Sequence, residues 1–186
     1  MYIVNFFKHF KKVCTHKWWV FHYCVKAGIP IRGLLHDMSK FSPVEFFESV
    51  KYYQGGSSPI DACKKANGYS NAWLHHKGRN KHHYEYWTDN MDNGGESLQM
   101  PYKYAAELIC DYLGAGRAYY GKDFTMKKEY DWWQIKKNKP LFMHTQTKIF
   151  IDLVFESLLE NESNLSSFNL LKLYSDATEK YKKNLP

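Results

Sequence analysis

The chain has 186 residues, of which 44% are apolar and 18% aromatic, and its formal net charge is +7. This length fits one domain with a substantial core, and the apolar content argues against disorder over most of the chain. The positive charge favours anionic partners such as phosphates, nucleotides or nucleic acid, although surface lysines such as Lys136 would give the same total. We find no RNA-binding or helix-turn-helix motif that makes nucleic acid the first choice.

The sequence predicts neither a membrane span nor an export signal. No apolar run approaches the length that crosses a bilayer. The lysines of "MYIVNFFKHFKKV" follow the apolar residues, whereas a secretory signal has the opposite order. We therefore expect a cytoplasmic protein whose cysteines are reduced thiols, with Cys24 and Cys110 packed in the core. The other two cysteines are Cys14 and Cys63, and none of the four forms a CxxC pair.

Helix signals dominate the first half of the chain. The first helix is predicted over about residues 3–27, and Pro30 opens a short helix that carries "IRGLLHDM". The capping box "SPVE" at residues 42–45 begins the next helix, which ends near "GG". The stretch "QGGSSPIDACKKANGYSN" reads as a loop with a short helical turn at residues 61–66.

The second half continues in the same way. A helix is predicted over about residues 72–87, followed by a loop in "TDNMDNGGESLQMP". Further helices are predicted at about 101–119, 126–138, 146–160 and 166–182. Strand signals are weak throughout. We therefore predict an all-α fold in which residues 1–186 form one helical domain, with a core at about 3–160 and a C-terminal helix at about 166–182.

The stretch "LLHDMSK" places His36 beside Asp37. Adjacent residues on a helix point about 100° apart, but they can converge on one ion near a helix end. An imidazole and a carboxylate together suit divalent Mn, Fe, Co, Ni or Zn. Since two ligands do not make a site, the others must come from elsewhere in the chain.

Two residues are the best further candidates. His16 lies in line with Val20 and Cys24 at helical spacing, which puts it on a buried stripe. Asp111 lies in the apolar context "AAELICDYLGAG", where a carboxylate needs a partner. The alternative for His16 is a hydrogen-bonded core histidine, and the alternative for Asp111 is a salt bridge or an exposed helix face.

A second cluster lies in "WLHHKGRNKHHYEYW". Its histidines are His75, His76, His82 and His83. On one continuous helix the two pairs would lie about 10.5 Å apart along the axis, too far to share an ion, so joint ligation needs a break near Gly78. We expect at least two of the four to be merely exposed. Lys40 and Arg79 bring positive charge that suits phosphate binding, although ordinary surface charge is the alternative.

These residues resemble a known pattern. "LLHDMSK" is similar to the motif H…HD…K…D of the HD-domain phosphohydrolase superfamily. The resemblance implies an HD-like helical bundle and metal ligation by His16, His36, Asp37 and Asp111. It also implies that Lys40 is the motif's lysine just after the His-Asp pair. The His-His pairs resemble the extra ligands of members with two metals. The blocks "GLLHDMSKFSPVEF", "AWLHHKGRNKHHYEYW" and "MPYKYAAELICDYLGAGRA" together more closely resemble a small family of bacterial and phage proteins of unknown function. This resemblance spans about residues 14–160.

The resemblance implies a metal-dependent phosphohydrolase that acts on a nucleotide or another small phosphate ester. One or two divalent ions would activate water, Asp37 would orient or deprotonate that water, and Lys40 and Arg79 would hold the phosphate. A di-iron oxygenase on the same fold is one alternative. The other is a non-catalytic module, of phage origin and in the host cytoplasm, that binds a nucleotide or a protein through its many aromatic residues.

Overall fold

Helices account for most of residues 2–184, which are the residues that this computed structural model describes. The α-helices are α1 (Tyr2–Lys26), α2 (Pro30–Leu35), α3 (Pro43–Lys51), α4 (Pro59–Asn67), α5 (Asn71–Arg79), α6 (Tyr102–Tyr120), α7 (Met126–Lys137), α8 (Thr145–Glu160) and α9 (Ser167–Lys183). Short 3-10 helices lie at Met38–Phe41, Tyr84–Trp87, Met91–Asn93, Gly121–Asp123 and Glu162–Asn164. Two strands, β1 (Thr88–Asp89) and β2 (Glu96–Ser97), pair antiparallel with Thr88 opposite Ser97. The prediction of an all-α fold is confirmed.

The helix predicted over 72–87 is wrong in its second half. α5 ends at Arg79, and Asn80 adopts an extended conformation with φ −111°. The Asn80 backbone N–H and its side-chain amide both donate to the carbonyl of His76, at 3.1 and 2.9 Å. This double donation to the His76 carbonyl accompanies the end of the helix, and the chain turns away before the second histidine pair.

The two predicted loops also contain regular structure. The expected turn at 61–66 is the full helix α4, with Pro59 at its start and Gly68 in a left-handed conformation at its end. This is the arrangement that proline and glycine favour at the two ends of a helix. The loop "TDNMDNGGESLQMP" carries the β1–β2 hairpin.

The core is organised around α6, whose residues 105–114 are all buried. α1 packs along one side of it, and α7 and α9 contact it elsewhere. Cys24 and Cys110 are fully buried, as predicted. α1 and α6 approach closely at Gly114, where an added Cβ would lie 2.9 Å from the backbone nitrogen of Val20. This close approach brings the polar residues of the two helices to one place.

Among the described residues, no helix combines the length and the hydropathy that a transmembrane span requires.

Two glycines in helices test how much the α1–α6 contact matters. Gly114→Ala should lower the free energy of unfolding by about 1 to 3 kcal/mol, because the added methyl group meets the Val20 backbone. Gly78→Ala is the matched control on α5, where an added Cβ has no neighbour within 4 Å. It should raise stability by up to about 1 kcal/mol through helix propensity. Urea denaturation measures both, and similar effects of the two substitutions would contradict the close packing.

Candidate metal centre

The backbone places His36 and Asp37 differently from the prediction. α2 ends at Leu35, and Asp37 takes the left-handed conformation with φ +52°. Few non-glycine residues adopt this region, although aspartate is among those that do so most readily. The two side chains therefore do not project from a continuing helix. They converge instead, with His36 Nε2 3.2 Å from Asp37 Oδ2.

Four of the predicted residues meet at this point, and we call them the first donor group: His16, His36, Asp37 and Asp111. His16 Nε2 lies 3.6 Å from Asp37 Oδ2 and 3.2 Å from Asp111 Oδ1. His36 Nε2 lies 3.4 Å from the same Asp111 oxygen. All four side chains are buried. The structure thus brings together residues from α1, the end of α2 and α6.

A second donor group surrounds the other oxygen of Asp37. His76 Nε2 and His82 Nε2 each lie 3.3 Å from Asp37 Oδ1. His83 belongs to the same cluster, and its ligand atom lies within 4.8 Å of the others. The break after Arg79 makes this possible, because it brings His82 back beside His76. Asn80 fixes the break by donating to Ser39 Oγ at 2.8 Å.

The expectation that at least two of the four histidines are merely exposed is wrong. His76 and His82 are buried, and His75 and His83 are partly buried. His75 Nδ1 lies 2.6 Å from Glu45 Oε1. The His83 ring packs against His76 with their centroids 4.7 Å apart. Burial, together with the charges of His82 and His76, holds the pKa of His83 well below its usual value.

The outer nitrogens of three rings face two carboxylates that the sequence analysis did not single out. Glu107 Oε1 lies 3.0 Å from His36 Nδ1 and 3.3 Å from His82 Nδ1. Glu45 Oε2 lies 2.7 Å from His76 Nδ1. A carboxylate on Nδ1 fixes the ring and its tautomer, so that Nε2 is free to bind a metal.

The sequence analysis overlooked these two glutamates for different reasons. Glu45 completes the pattern "SPVE", but only half of that capping box forms. The Ser42 hydroxyl accepts from the Glu45 backbone N–H at 3.4 Å, while the Ser42 N–H donates to the carbonyl of Ser39. Glu107 precedes Asp111 by one helical turn, and this i, i+4 spacing is the signal that could have identified it.

The carboxylates of the centre are buried, and positively charged or hydrogen-bonding neighbours lower their pKa values. Burial alone would raise the pKa of Asp37, but His36 and Lys40 hold it well below its usual range. Burial would also raise the pKa of Glu107, but hydrogen bonds from His36 and His82 keep it at about 2. Carboxylates that stay charged when buried suit a cation.

The arrangement fits a divalent metal on two counts. Ligand atoms about 2.1 Å from one ion lie about 3 to 3.4 Å from one another, close to the separations in both donor groups. Moreover, several buried atoms of both groups have no hydrogen bond of good geometry to any described residue; these are His16 Nε2, His36 Nε2, His82 Nε2, His83 Nε2 and Asp37 Oδ1. Buried polar atoms without partners are costly, and a shared cation would satisfy them.

A cavity of about 270 Å³ opens onto the centre. His16, Asp111 and His76 form part of its wall, and Lys40 lies beside them with Nζ 2.8 Å from Asp37 Oδ2. Burial would lower the pKa of Lys40, but the Asp37 and Asp111 charges raise it above its usual value. Arg79, the other predicted phosphate ligand, is exposed at the end of α5 and is not among the described residues that line the cavity.

Asp37→Asn tests the role of the shared carboxylate. Asparagine keeps the shape and tolerates the left-handed backbone, but it removes the charge that offsets a cation. We expect metal content to fall at least tenfold by elemental analysis, while thermal melts of metal-free samples change little because no cavity is made. A variant destabilised by about 1 to 3 kcal/mol with its metal content intact would instead identify Asp37 as a purely structural residue.

Glu107→Gln tests the outer carboxylate. The amide keeps the size of the side chain but loses the charge that orients His36 and His82. Metal affinity should fall about 10- to 100-fold in a competition assay with a chelating dye. Glu48→Gln is the control, since the Glu48 carboxylate accepts from Ser70 at 2.6 Å, and no hydrogen bond or ion pair joins it to a histidine among the described residues. Equal affinities of the two variants would contradict the orienting role.

Comparison with known proteins identifies a family for this chain. No curated protein and no solved structure matches the chain. Residues 5–157 match the family of unknown function DUF5662, and this match includes every residue of both donor groups. The protein therefore belongs to the DUF5662 family of unknown function.

Proposed function

We propose that the protein is a metal-dependent phosphohydrolase of the HD type. The observation that carries the proposal is the position of Asp37, whose two carboxylate oxygens face two separate sets of imidazole Nε2 atoms. A carboxylate shared in this way between neighbouring metal sites is the arrangement of two-metal hydrolases. The order of the residues along the chain agrees with the motif H…HD…K…D.

The first donor group would hold one ion, and Asp37, His76, His82 and His83 would hold a second. Divalent Mn, Fe, Co, Ni or Zn in these positions would supply Lewis acidity and lower the pKa of water towards neutrality. Asp37 would orient the attacking water, because it is the carboxylate that both groups share. Glu107 and Glu45, whose carboxylates face the Nδ1 atoms of these rings, would keep the rings in place.

Lys40 is the residue that we assign to the phosphate. Its ammonium group lies at the cavity wall, 2.8 Å from Asp37 Oδ2, and its raised pKa keeps it charged. A fixed cation beside the reacting phosphoryl group stabilises the charge that develops there. We do not assign Arg79 to the phosphate, because it is exposed and is not among the described residues that line the cavity.

The cavity suits a small phosphate ester, and we favour a nucleotide. The aromatic residues Trp73, Tyr84, Tyr112, Tyr119 and Trp132 line it together with the centre. Such walls offer stacking to a flat ring, and the net charge of +7 favours an anionic substrate.

A di-iron oxygenase is the second candidate, because the same shared carboxylate and histidine-rich second group would suit iron. The two reactions differ in what they consume. Oxygen uptake by iron-loaded protein, without release of phosphate from any ester, would favour the oxygenase.

Phosphate release from a panel of nucleotides and phosphomonoesters tests the proposal. Metal-stripped protein is loaded in turn with Mn, Fe, Co, Ni or Zn. We expect turnover with at least one metal, loss of turnover with a chelator, and a loss of at least about 100-fold in His36→Ala. Asp131→Asn is the control, because Asp131 is exposed on α7 and pairs with Lys127. No release under any metal would contradict the proposal.

A further inference from the structure

One lysine of the cavity is enclosed by aromatic rings. Lys136 lies in the last turn of α7, and its Nζ lies 4.7 Å from the ring centroid of Tyr112, 4.9 Å from that of Trp132 and 5.5 Å from that of Tyr84. All four residues line the same cavity as His16 and Asp111. Lys136 is therefore part of the cavity wall, although its sequence context suggested ordinary surface charge.

Lys136 differs from the other two lysines of this wall. Lys40 pairs with Asp37, and Lys12 donates to the carbonyl of Ala118 at 2.7 Å. Among residues 2–184, no hydrogen bond or ion pair involves the ammonium group of Lys136. Ring faces attract a cation but accept only weak hydrogen bonds. The three N–H donors of Lys136 thus remain available to a ligand.

The charges around Lys136 keep the site receptive to an anion. Burial lowers the pKa of Lys136, and Glu85, Asp111, Asp61 and Glu129 favour its charged form. Burial raises the pKa of Glu129 to about 8, so this carboxyl is mostly protonated at neutral pH. Asp111 belongs to the first donor group, where a metal would offset its charge. Glu85 and Asp61 remain as counter-charges, and no ion pair joins either of them to Lys136 among the described residues.

A second donor without a partner lies beside Lys136. The hydroxyl of Tyr112 is buried and has no hydrogen-bond partner in the described part of the chain, and the residue is only 6% exposed. Tyr112 and Lys136 both line the cavity, and the Lys136 ammonium group lies 4.7 Å from the centroid of the Tyr112 ring. Leaving both unsatisfied costs free energy that an acceptor in the cavity would recover.

We propose that Lys136 and Tyr112 form a subsite for a second anionic group of the substrate, apart from the phosphate at Lys40. The substrate class is then a phosphate ester that carries a further phosphate or carboxylate. This inference rests on the proposed function only in taking the cavity as the substrate site. The aromatic rings position the ammonium group, and the anion approaches it from the cavity side.

Binding of non-hydrolysable phosphonates tests the subsite without requiring turnover. The probes are straight-chain alkylphosphonates of increasing length that end either in a methyl group or in a carboxylate. Manganese-loaded protein is titrated with each probe, and Kd is measured by calorimetry. We expect the carboxylate probe of the best length to bind about tenfold or more tighter than its methyl counterpart, as one charged hydrogen bond provides.

Three variants assign that preference to its residues. Lys136→Met keeps the apolar stem and removes the charge, so the preference should disappear. Tyr112→Phe should reduce it by a smaller factor, and this isosteric change keeps the test valid if Lys136→Met folds poorly. Lys139→Met is the control, because Lys139 is exposed just beyond α7. It should retain the preference of the wild type.

Several results would overturn the subsite. These are equal affinity of the wild type for both kinds of probe, no binding of either kind, or a preference that survives in both Lys136→Met and Tyr112→Phe. A clear preference that depends on Lys136, together with no phosphate release from any ester, would leave the subsite standing and contradict the phosphohydrolase instead.

Discussion

The shared carboxylate of Asp37 is the interaction on which the rest of the centre depends. Its two oxygens face imidazoles from four separate segments, namely α1, the end of α2, α5 and the stretch after Arg79. The left-handed backbone at Asp37 makes this possible, since it turns the side chain back towards His36.

The surrounding fold holds that carboxylate in place through α6. Asp111 supplies a donor atom, and Glu107, one turn earlier, orients two of the rings from behind. Arg32 on α2 donates to the outer oxygen of Glu107 at 2.6 Å, which ties α2 to α6. The close approach of α1 and α6 at Gly114 sets the position of His16. The helices that pack the core therefore also carry the residues of the metal centre. A change in the distance between α1 and α6 would move His16 relative to Asp111.

The sequence predicted the structure best at residues whose type favours few local roles, such as proline and glycine at helix ends. The all-α fold and most helix limits follow from proline, glycine and capping signals, which act locally. The pattern of His16, the His36–Asp37 pair and Asp111 selected residues that the structure brings together, although their role as ligands stays a prediction.

Lys136 could not be selected from the sequence, because its environment comes from α6, α7 and the segment near Tyr84. The contact of Glu45 with His76 was missed because the capping box at residues 42–45 already accounted for a glutamate at this position. The end of α5 was missed because the Asn80 side chain, rather than glycine or proline, terminates the helix.

A crystal structure of the protein soaked in manganese, recorded with anomalous scattering, tests the central claim most directly. The account predicts an anomalous peak among His16, His36, Asp37 and Asp111, and a second peak between Asp37, His76 and His82. Because Asp37 is common to both, the two peaks should lie on opposite sides of its carboxylate. A structure with manganese bound elsewhere, and no peak within coordination distance of Asp37, would contradict the account.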